Sequence, residues 1–127
     1  MGARKPLVAF NIYLDGTDEA VAKDIARDIR ESSGGLPALR AIGFTVPERG
    51  GIVTVSMNLV DHEVTGLRAA YDAVASKGKA AGMDVLDSEI VGLVPASALD
   101  GGDVERLRLM GFHPDTQILE RLVGEDQ

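Results

Sequence analysis

From Leu7 to Leu14 the large apolar residues Val8, Phe10, Ile12 and Leu14 fall on alternate positions. That period of two predicts a half-buried strand. Asp15-Gly16 turns the chain, and Thr17 is the expected helix cap, with Asp18 and Glu19 complementing the positive helix start. The helix then places Val21, Ile25 and Ile29 four residues apart, with Ala22 and Ala26 beside them. Gly34-Gly35 is expected to end it, supplying the left-handed conformation that helix C-termini commonly use. A second strand is predicted over 40–46 and a third over 52–60, joined by Pro47-Glu48-Arg49-Gly50-Gly51, which has the length and glycine content of a hairpin loop. Thr65 is expected to cap a second helix running to about 81, with Leu67, Tyr71 and Val74 at helical spacing and Gly82 as its stop. A fourth strand is predicted over 84–91. Beyond Pro95, two or three short helices offer Leu107, Met110, Ile118, Leu119 and Leu122 as apolar contacts.

The order strand, helix, strand, strand, helix, strand, then a helical tail, predicts an α+β fold. It is the split βαβ arrangement of ferredoxin-like domains, a four-stranded antiparallel sheet with two helices on one face. In its usual strand order, 4-1-3-2, the first and third strands are central neighbours. No linker or low-complexity segment interrupts the pattern, so one domain is expected over 3–122, with 123–127 as a frayed tail. At 127 residues one domain can bury a core without a metal or disulfide staple.

Alternation gives each strand two faces. Val8, Phe10, Ile12, Val53, Val55, Met57 and Leu59, together with Ile42, Phe44 and Val46, are expected to hold the helices. The opposite face collects Ala9, Asn11, Tyr13, Ala41, Gly43, Thr45, Thr54, Ser56 and Asn58, small and polar residues with almost no Lys or Glu. A sheet face simply exposed to water usually carries long charged side chains that discourage association. Either this face meets a ligand, a partner subunit or another domain, or it is a solvated surface rich in Thr and Ser.

Composition narrows the chemistry. The chain has no Cys, which excludes disulfides, thiol nucleophiles and cysteine-ligated zinc and is compatible with a reducing cytoplasm. Arg4-Lys5 before an apolar run has the outline of a signal peptide, but the run is short, carries Asn11 and lacks a small-residue cleavage site, so it reads as a strand. No stretch approaches the roughly 20 apolar residues of a membrane span. The net charge of −7, from 20 acidic and 13 basic residues, argues against a nucleic-acid surface. It also gives no long-range attraction for an anion, so any anion site must be local. Two Tyr, three Phe and no Trp argue against a base-stacking platform.

Individual motifs read in two ways each. Ser32-Ser33-Gly34-Gly35 follows a helix, whereas phosphate-cradling loops precede one, and no Gly-Lys-Ser/Thr follows it, so the nucleotide-loop reading fails. The glycines either stop the helix or offer backbone amides to a carboxylate, with Arg30 as a nearby cation. Asn11 and Asn58 share a sheet face, where the amides either bond one another across strands or hold a ligand. Glu89 is either a ligand acceptor or an edge-strand charge. His62 and His113 are the only groups that ordinarily titrate near neutrality; they read as structural or solvated, with no triad spacing and a weak metal case. Asp15-Gly16-Thr17-Asp18-Glu19 is too short for a calcium loop.

Three segments carry a family resemblance: Arg30-Glu31-Ser32-Ser33-Gly34-Gly35-Leu36, Val55-Ser56-Met57-Asn58-Leu59, and Ser88-Glu89-Ile90-Val91-Gly92-Leu93-Val94-Pro95. In that order, after a Gly2-Ala3-Arg4-Lys5 start, they resemble the C-terminal subdomain of the glutamate formiminotransferases over about 3–122. The resemblance implies a cytoplasmic transferase of one-carbon metabolism and histidine degradation. Its chemistry moves the formimino group from N-formimino-L-glutamate to tetrahydrofolate, giving 5-formiminotetrahydrofolate and glutamate, with tetrahydrofolate as substrate and no metal. The family's two subdomains enclose a folate tunnel, and the histidine that manages protons lies in the N-terminal one. No catalytic residue is therefore assigned to this chain. The expected folate-binding and substrate-binding set is Asn11, Arg30, Ser33, Gly34, Gly35, Ser56, Asn58 and Glu89. Implied partners are small folate and glutamate derivatives and an N-terminal formiminotransferase half or a homodimer partner, with no nucleic acid and no membrane. The alternative is a stand-alone, non-catalytic dimeric module that binds a folate-like or amino-acid ligand.

Overall fold

The alternating apolar residues of the first strand bury one of its faces in the core, and the strand lies inside the sheet with a neighbour on each side. In the computed structural model, which describes residues 7–30, 34–99 and 102–119, four strands form one antiparallel sheet. They are β1 (Val8–Leu14), β2 (Leu39–Val46), β3 (Ile52–Leu59) and β4 (Val85–Val91), in the spatial order β2-β3-β1-β4. Helices α1 (Glu19–Ile29) and α2 (Leu67–Ala80) cover one face, where Ala22, Ile25, Ile29, Leu67, Ala70 and Val74 pack on Phe10, Ile12, Val55 and Met57. This is the ferredoxin-like α+β arrangement that the order of elements predicts. After β4 come a 3-10 turn over Ala96–Ala98 and the one-turn helices α3 (Asp103–Arg106) and α4 (Pro114–Gln117).

The C-terminal segment protects one edge of the sheet. The Ser88 N–H donates to the Arg108 carbonyl at 2.9 Å, and the Met110 N–H donates back to Ser88 at 2.8 Å. The buried Ser88 hydroxyl adds a bond to the Leu107 carbonyl. These bonds satisfy the outer edge of β4, which would otherwise template further strand pairing. Leu122 and the tail over 123–127 lie outside the described residues.

Two expected caps are different residues. Asp18, not Thr17, caps α1, its carboxylate accepting from the Ala20 N–H at 3.1 Å. Gly66 precedes α2, while the buried Thr65 hydroxyl is taken by the Pro37 carbonyl at 2.6 Å. The stop of α1 also differs. Arg30 in an extended conformation follows the last helical residue, and left-handed Gly34 comes four positions later.

The larger correction concerns β2. Ile42, Phe44 and Val46 do not face the helices. Val46 pairs with Ile52 across the hairpin loop, so Ile42 lies opposite Ser56 and Phe44 opposite Thr54, sharing their face. Leu39, Ala41, Gly43 and Thr45 turn toward α1 instead. The reason is close approach: a Cβ on Gly43 would sit 2.4 Å from the Ala22 carbonyl carbon and oxygen. Thr45 then ties the sheet to the start of α1, donating its N–H and hydroxyl to one Glu19 oxygen at 3.1 and 2.7 Å. Over 41–46 of β2, small residues therefore mark the packed side and large ones the open side, while Leu39 at the start of the strand is a large core residue.

Candidate functional site

The uncovered sheet face is organised in rows across the strands. The middle row runs Ile42, Ser56, Asn11, Glu89, because Ile42 pairs with Ser56, Ser56 with Asn11, and Asn11 with Glu89. Directly opposite residues on one face stand about 5 Å apart at Cβ, so hydroxyl, amide and carboxylate form a continuous polar strip. All three are partly exposed. On one side lies the row Arg40, Asn58, Ala9, Val91; on the other, Phe44, Thr54, Tyr13, Asp87. Asn11 and Asn58 share the face but are diagonal rather than opposite. The face also carries apolar surface, with Ile42 60 % and Phe44 39 % exposed.

One end of the strip is locked. The Tyr13 hydroxyl donates to Glu89 Oε1 at 2.9 Å. Arg49, brought over by the hairpin loop, lies 4.6 Å from the Tyr13 ring centre and makes a bidentate pair with Asp87, both bonds at 2.9 Å. Enclosed this way, Tyr13 is only 8 % exposed. Thr54 beneath it is buried, its hydroxyl spent on the Ile12 carbonyl at 2.9 Å. Burial is the main reason the Tyr13 phenol is held above its usual pKa, followed by the Glu89 hydrogen bond and charge, while the Asn11 amide and the Arg49 cation pull it down.

This arrangement has a pH consequence. A raised folded-state value means the neutral phenol stabilises fully below the ordinary tyrosine pKa, and that contribution is lost as pH climbs through the raised one. In a Tyr71→Phe background, ultraviolet titration is expected to show Tyr13 ionising above free tyrosine. Glu89→Gln should bring it part of the way down by removing the charge, whereas an unmoved titration would show that the carboxylate does not act on it.

The other candidate residues sit elsewhere. Arg30 lines a groove of about 340 Å³ with Lys23, Ala26, Arg27, Ile42 and Gly43, between α1 and the outer edge of β2. The Gly35 N–H donates to the Arg30 carbonyl at 3.0 Å, and a Cβ there would meet Ile29 backbone at 2.4 Å, so Gly35 is a packing glycine whose amide is occupied. Gly34 is exposed and left-handed at φ +84. Ser33 lies outside the described residues. Asn11, Ser56 and Glu89 are thus contiguous, Asn58 is one row away, and Arg30, Gly34 and Gly35 belong to the helix layer.

Neither histidine approaches the strip's polar row. His62 borders a cleft of about 190 Å³ at the start of α2, with Nε2 3.0 Å from the Ser97 hydroxyl and Nδ1 buried without a partner among the described residues. In the same cleft Arg68 Nε donates to buried Asp103 at 2.8 Å. His113 precedes α4, and its N–H donates to Gln117 Oε1 at 2.9 Å. No group of three or more His, Asp or Glu among the described residues is placed to hold a metal ion. No helix among them is long and apolar enough to cross a membrane.

Comparison with known proteins places this chain in a family. A family model described as "Formiminotransferase domain" matches residues 9–104. The chain belongs to the formiminotransferase family. It is 39 % identical to a glutamate formimidoyltransferase of Streptococcus pyogenes over 94 % of its own length and 40 % of the relative's. It is 36 % identical to the Thermoplasma acidophilum protein of the same name over 95 % and 39 %. With the formimidoyltransferase-cyclodeaminase of Sus scrofa the identity is 41 %, covering 98 % of this chain and 28 % of the relative. The chain therefore spans at most about 40 % of the length of these relatives.

Sequence puts Tyr13 on the open face but not in the expected binding set, and it singles out none of Arg40, Arg49 and Asp87. The signal for Arg40 was present in the hairpin. Once Val46 and Ile52 flank the loop, even-numbered residues of β2 oppose even-numbered residues of β3, and Arg40 joins Asn58 on the open face. Nothing in local sequence marks the Arg49–Asp87 pair, whose members are 38 positions apart.

Proposed function

We propose that this chain forms one wall of a folate site in a glutamate formiminotransferase. The reaction it serves transfers the formimino group from N-formimino-L-glutamate to tetrahydrofolate. The observation that carries the reading is the Ser56–Asn11–Glu89 strip on the sheet's open face, in a chain of this family. A carboxylate accepts from the N–H groups of a reduced pterin, and neighbouring amide and hydroxyl groups both donate and accept. Ile42 and Phe44 give a companion domain apolar surface to cover. Enclosure between two walls would exclude water and hold both substrates in reacting geometry, a large part of the acceleration such a transfer needs.

The acid/base machinery belongs, on this reading, to a companion N-terminal segment, from another chain or from more of the same polypeptide. The domain assignment over 3–122 and the cytoplasmic setting are part of the proposal. Calorimetric titration with tetrahydrofolate, with and without a matching N-terminal half of a relative, tests it. Binding that appears or tightens with the half supports the shared site. Absence of binding in both arms removes the folate wall.

Assembly supplies a separate test. Ile42→Lys and Phe44→Lys are each expected to weaken association with the companion half, or with a second copy, by burying an unpaired charge. Ser56→Lys should do the same, whereas Thr54→Lys is a poor probe because Thr54 is already inside the fold. Sedimentation of the mixtures reads the effect, and unchanged association in all three variants would show that this face is not the contact surface.

A further inference from the structure

The open face has an electrical direction. Among its described residues the cations are Arg40, at the β2 edge, and Arg49, at the opposite end near β4. Arg49 is committed to Asp87 through two hydrogen bonds. Its guanidinium is held above its ordinary pKa, chiefly by those bonds. Arg40 is exposed and makes no hydrogen bond or ion pair with any described residue. With Asp87 neutralised by Arg49, Glu89 is the acid left on the β4 side and Arg40 the cation left on the β2 side. Interstrand spacing and the rise per residue separate their Cα positions by about 16 Å.

Asn58 stands directly opposite Arg40 in register. A guanidinium beside an amide offers several N–H donors to one carboxylate, and arginine's planar fork suits that geometry better than an ammonium. In a chain of net charge −7, an anionic ligand gains no attraction from the whole molecule and needs such a local donor group.

We propose that Arg40, with Asn58, receives a glutamyl carboxylate of the ligand and so fixes which way the ligand lies across the sheet. This inference rests on the folate-wall reading. The ring N–H groups then fall at Glu89 and the carboxylate at Arg40, at opposite ends of one extended molecule. Both proposed substrates carry a glutamyl carboxylate, so the acceptor and the donor are the two sources to distinguish.

The test uses the full chain mixed with the companion half, unsubstituted and as Arg40→Gln and Arg40→Lys. Three probes are titrated: tetrahydrofolate, tetrahydropteroate (the same ring system without glutamate) and N-formimino-L-glutamate. Arg40 is an exposed strand residue, and circular dichroism checks that each variant keeps its fold. If the folate tail is the source, the unsubstituted protein prefers tetrahydrofolate over tetrahydropteroate. Arg40→Gln then loses about tenfold or more in tetrahydrofolate affinity, leaves tetrahydropteroate unchanged, and is partly rescued in Arg40→Lys. If formiminoglutamate is the source, Arg40→Gln weakens that probe alone. Unaltered affinities for all three probes in Arg40→Gln would overturn the inference and leave the folate wall standing. Failure of the unsubstituted protein to bind either pteridine would remove the folate wall, and this inference with it.

Discussion

Purified by itself, the chain is expected to show no measurable formation of 5-formiminotetrahydrofolate from formiminoglutamate and tetrahydrofolate. Addition of a matching N-terminal half should restore turnover. Formimino transfer needs proton movements at the nitrogens that exchange the group, and a positioned acid or base commonly contributes about 10²–10⁴-fold. On the folate-wall reading the strip's carboxylate, Glu89, is engaged as the acceptor for the ring N–H groups. Tyr13 is tied to Glu89 and covered by Arg49, and its phenol is held above the ordinary value, so it remains neutral at physiological pH. His62 lies at the start of α2 beside Ser97, and His113 precedes α4. Robust turnover by the chain alone, abolished by substituting either histidine, would transfer the acid/base role to this chain.

The second large effect is on stability. Gly43→Val is expected to destabilise the domain by about 3 kcal/mol, read as a lower urea midpoint. The sign is what makes the test informative. In an ordinary strand, valine in place of glycine should be favourable by up to about 1 kcal/mol. Here its Cβ must displace the Ala22 backbone, because the contact distance is 2.4 Å and the neighbour is main chain. Gly43→Ala already meets the same obstacle and should cost less than valine but still destabilise. An unchanged or raised midpoint for Gly43→Val would mean that α1 does not pack closely on β2 and that Ala41 and Gly43 are not its seat.

How the elements fold was legible because the periods are clean. Alternation in β1 and β3, the four-residue spacing of Ile25 and Ile29, and the glycine-rich hairpin loop led to the observed order of elements and to the sheet order β2-β3-β1-β4. The faces of β2 were not legible from residue size. Bulk marks the inside on β1 and β3, but α1 comes so close to β2 at Gly43 that a Cβ there would meet the Ala22 backbone, and Ile42 and Phe44 face outward. Pairing parity across the hairpin carried the correct answer. Caps failed for a local reason: Thr17 and Asp18 are both good capping residues, as is Thr65, and tertiary demand decided which side chains were used elsewhere.

The polar strip was half legible. Asn11, Ser56 and Glu89 emerged from parity and family resemblance, and the strand register sets them side by side. The lock at its end was hidden, since Arg49 and Asp87 come from a loop and a strand on opposite sides of α2 in sequence. Arg30, Gly34 and Gly35 lie in the helix layer away from the strip, and Gly35 packs against the Ile29 backbone, a placement that helix periodicity alone does not reveal.

If this strip is a folate-binding wall, its polar side chains set the affinity for tetrahydrofolate. The chain with its companion half is titrated with tetrahydrofolate in the calorimeter, unsubstituted and as Asn11→Ala, Asn58→Ala and Glu89→Ala. Each variant is expected to keep its fold and to weaken binding by about 1–3 kcal/mol, the cost of losing one enclosed hydrogen bond. Undiminished affinity in all three would contradict the claim and move the folate site off this face.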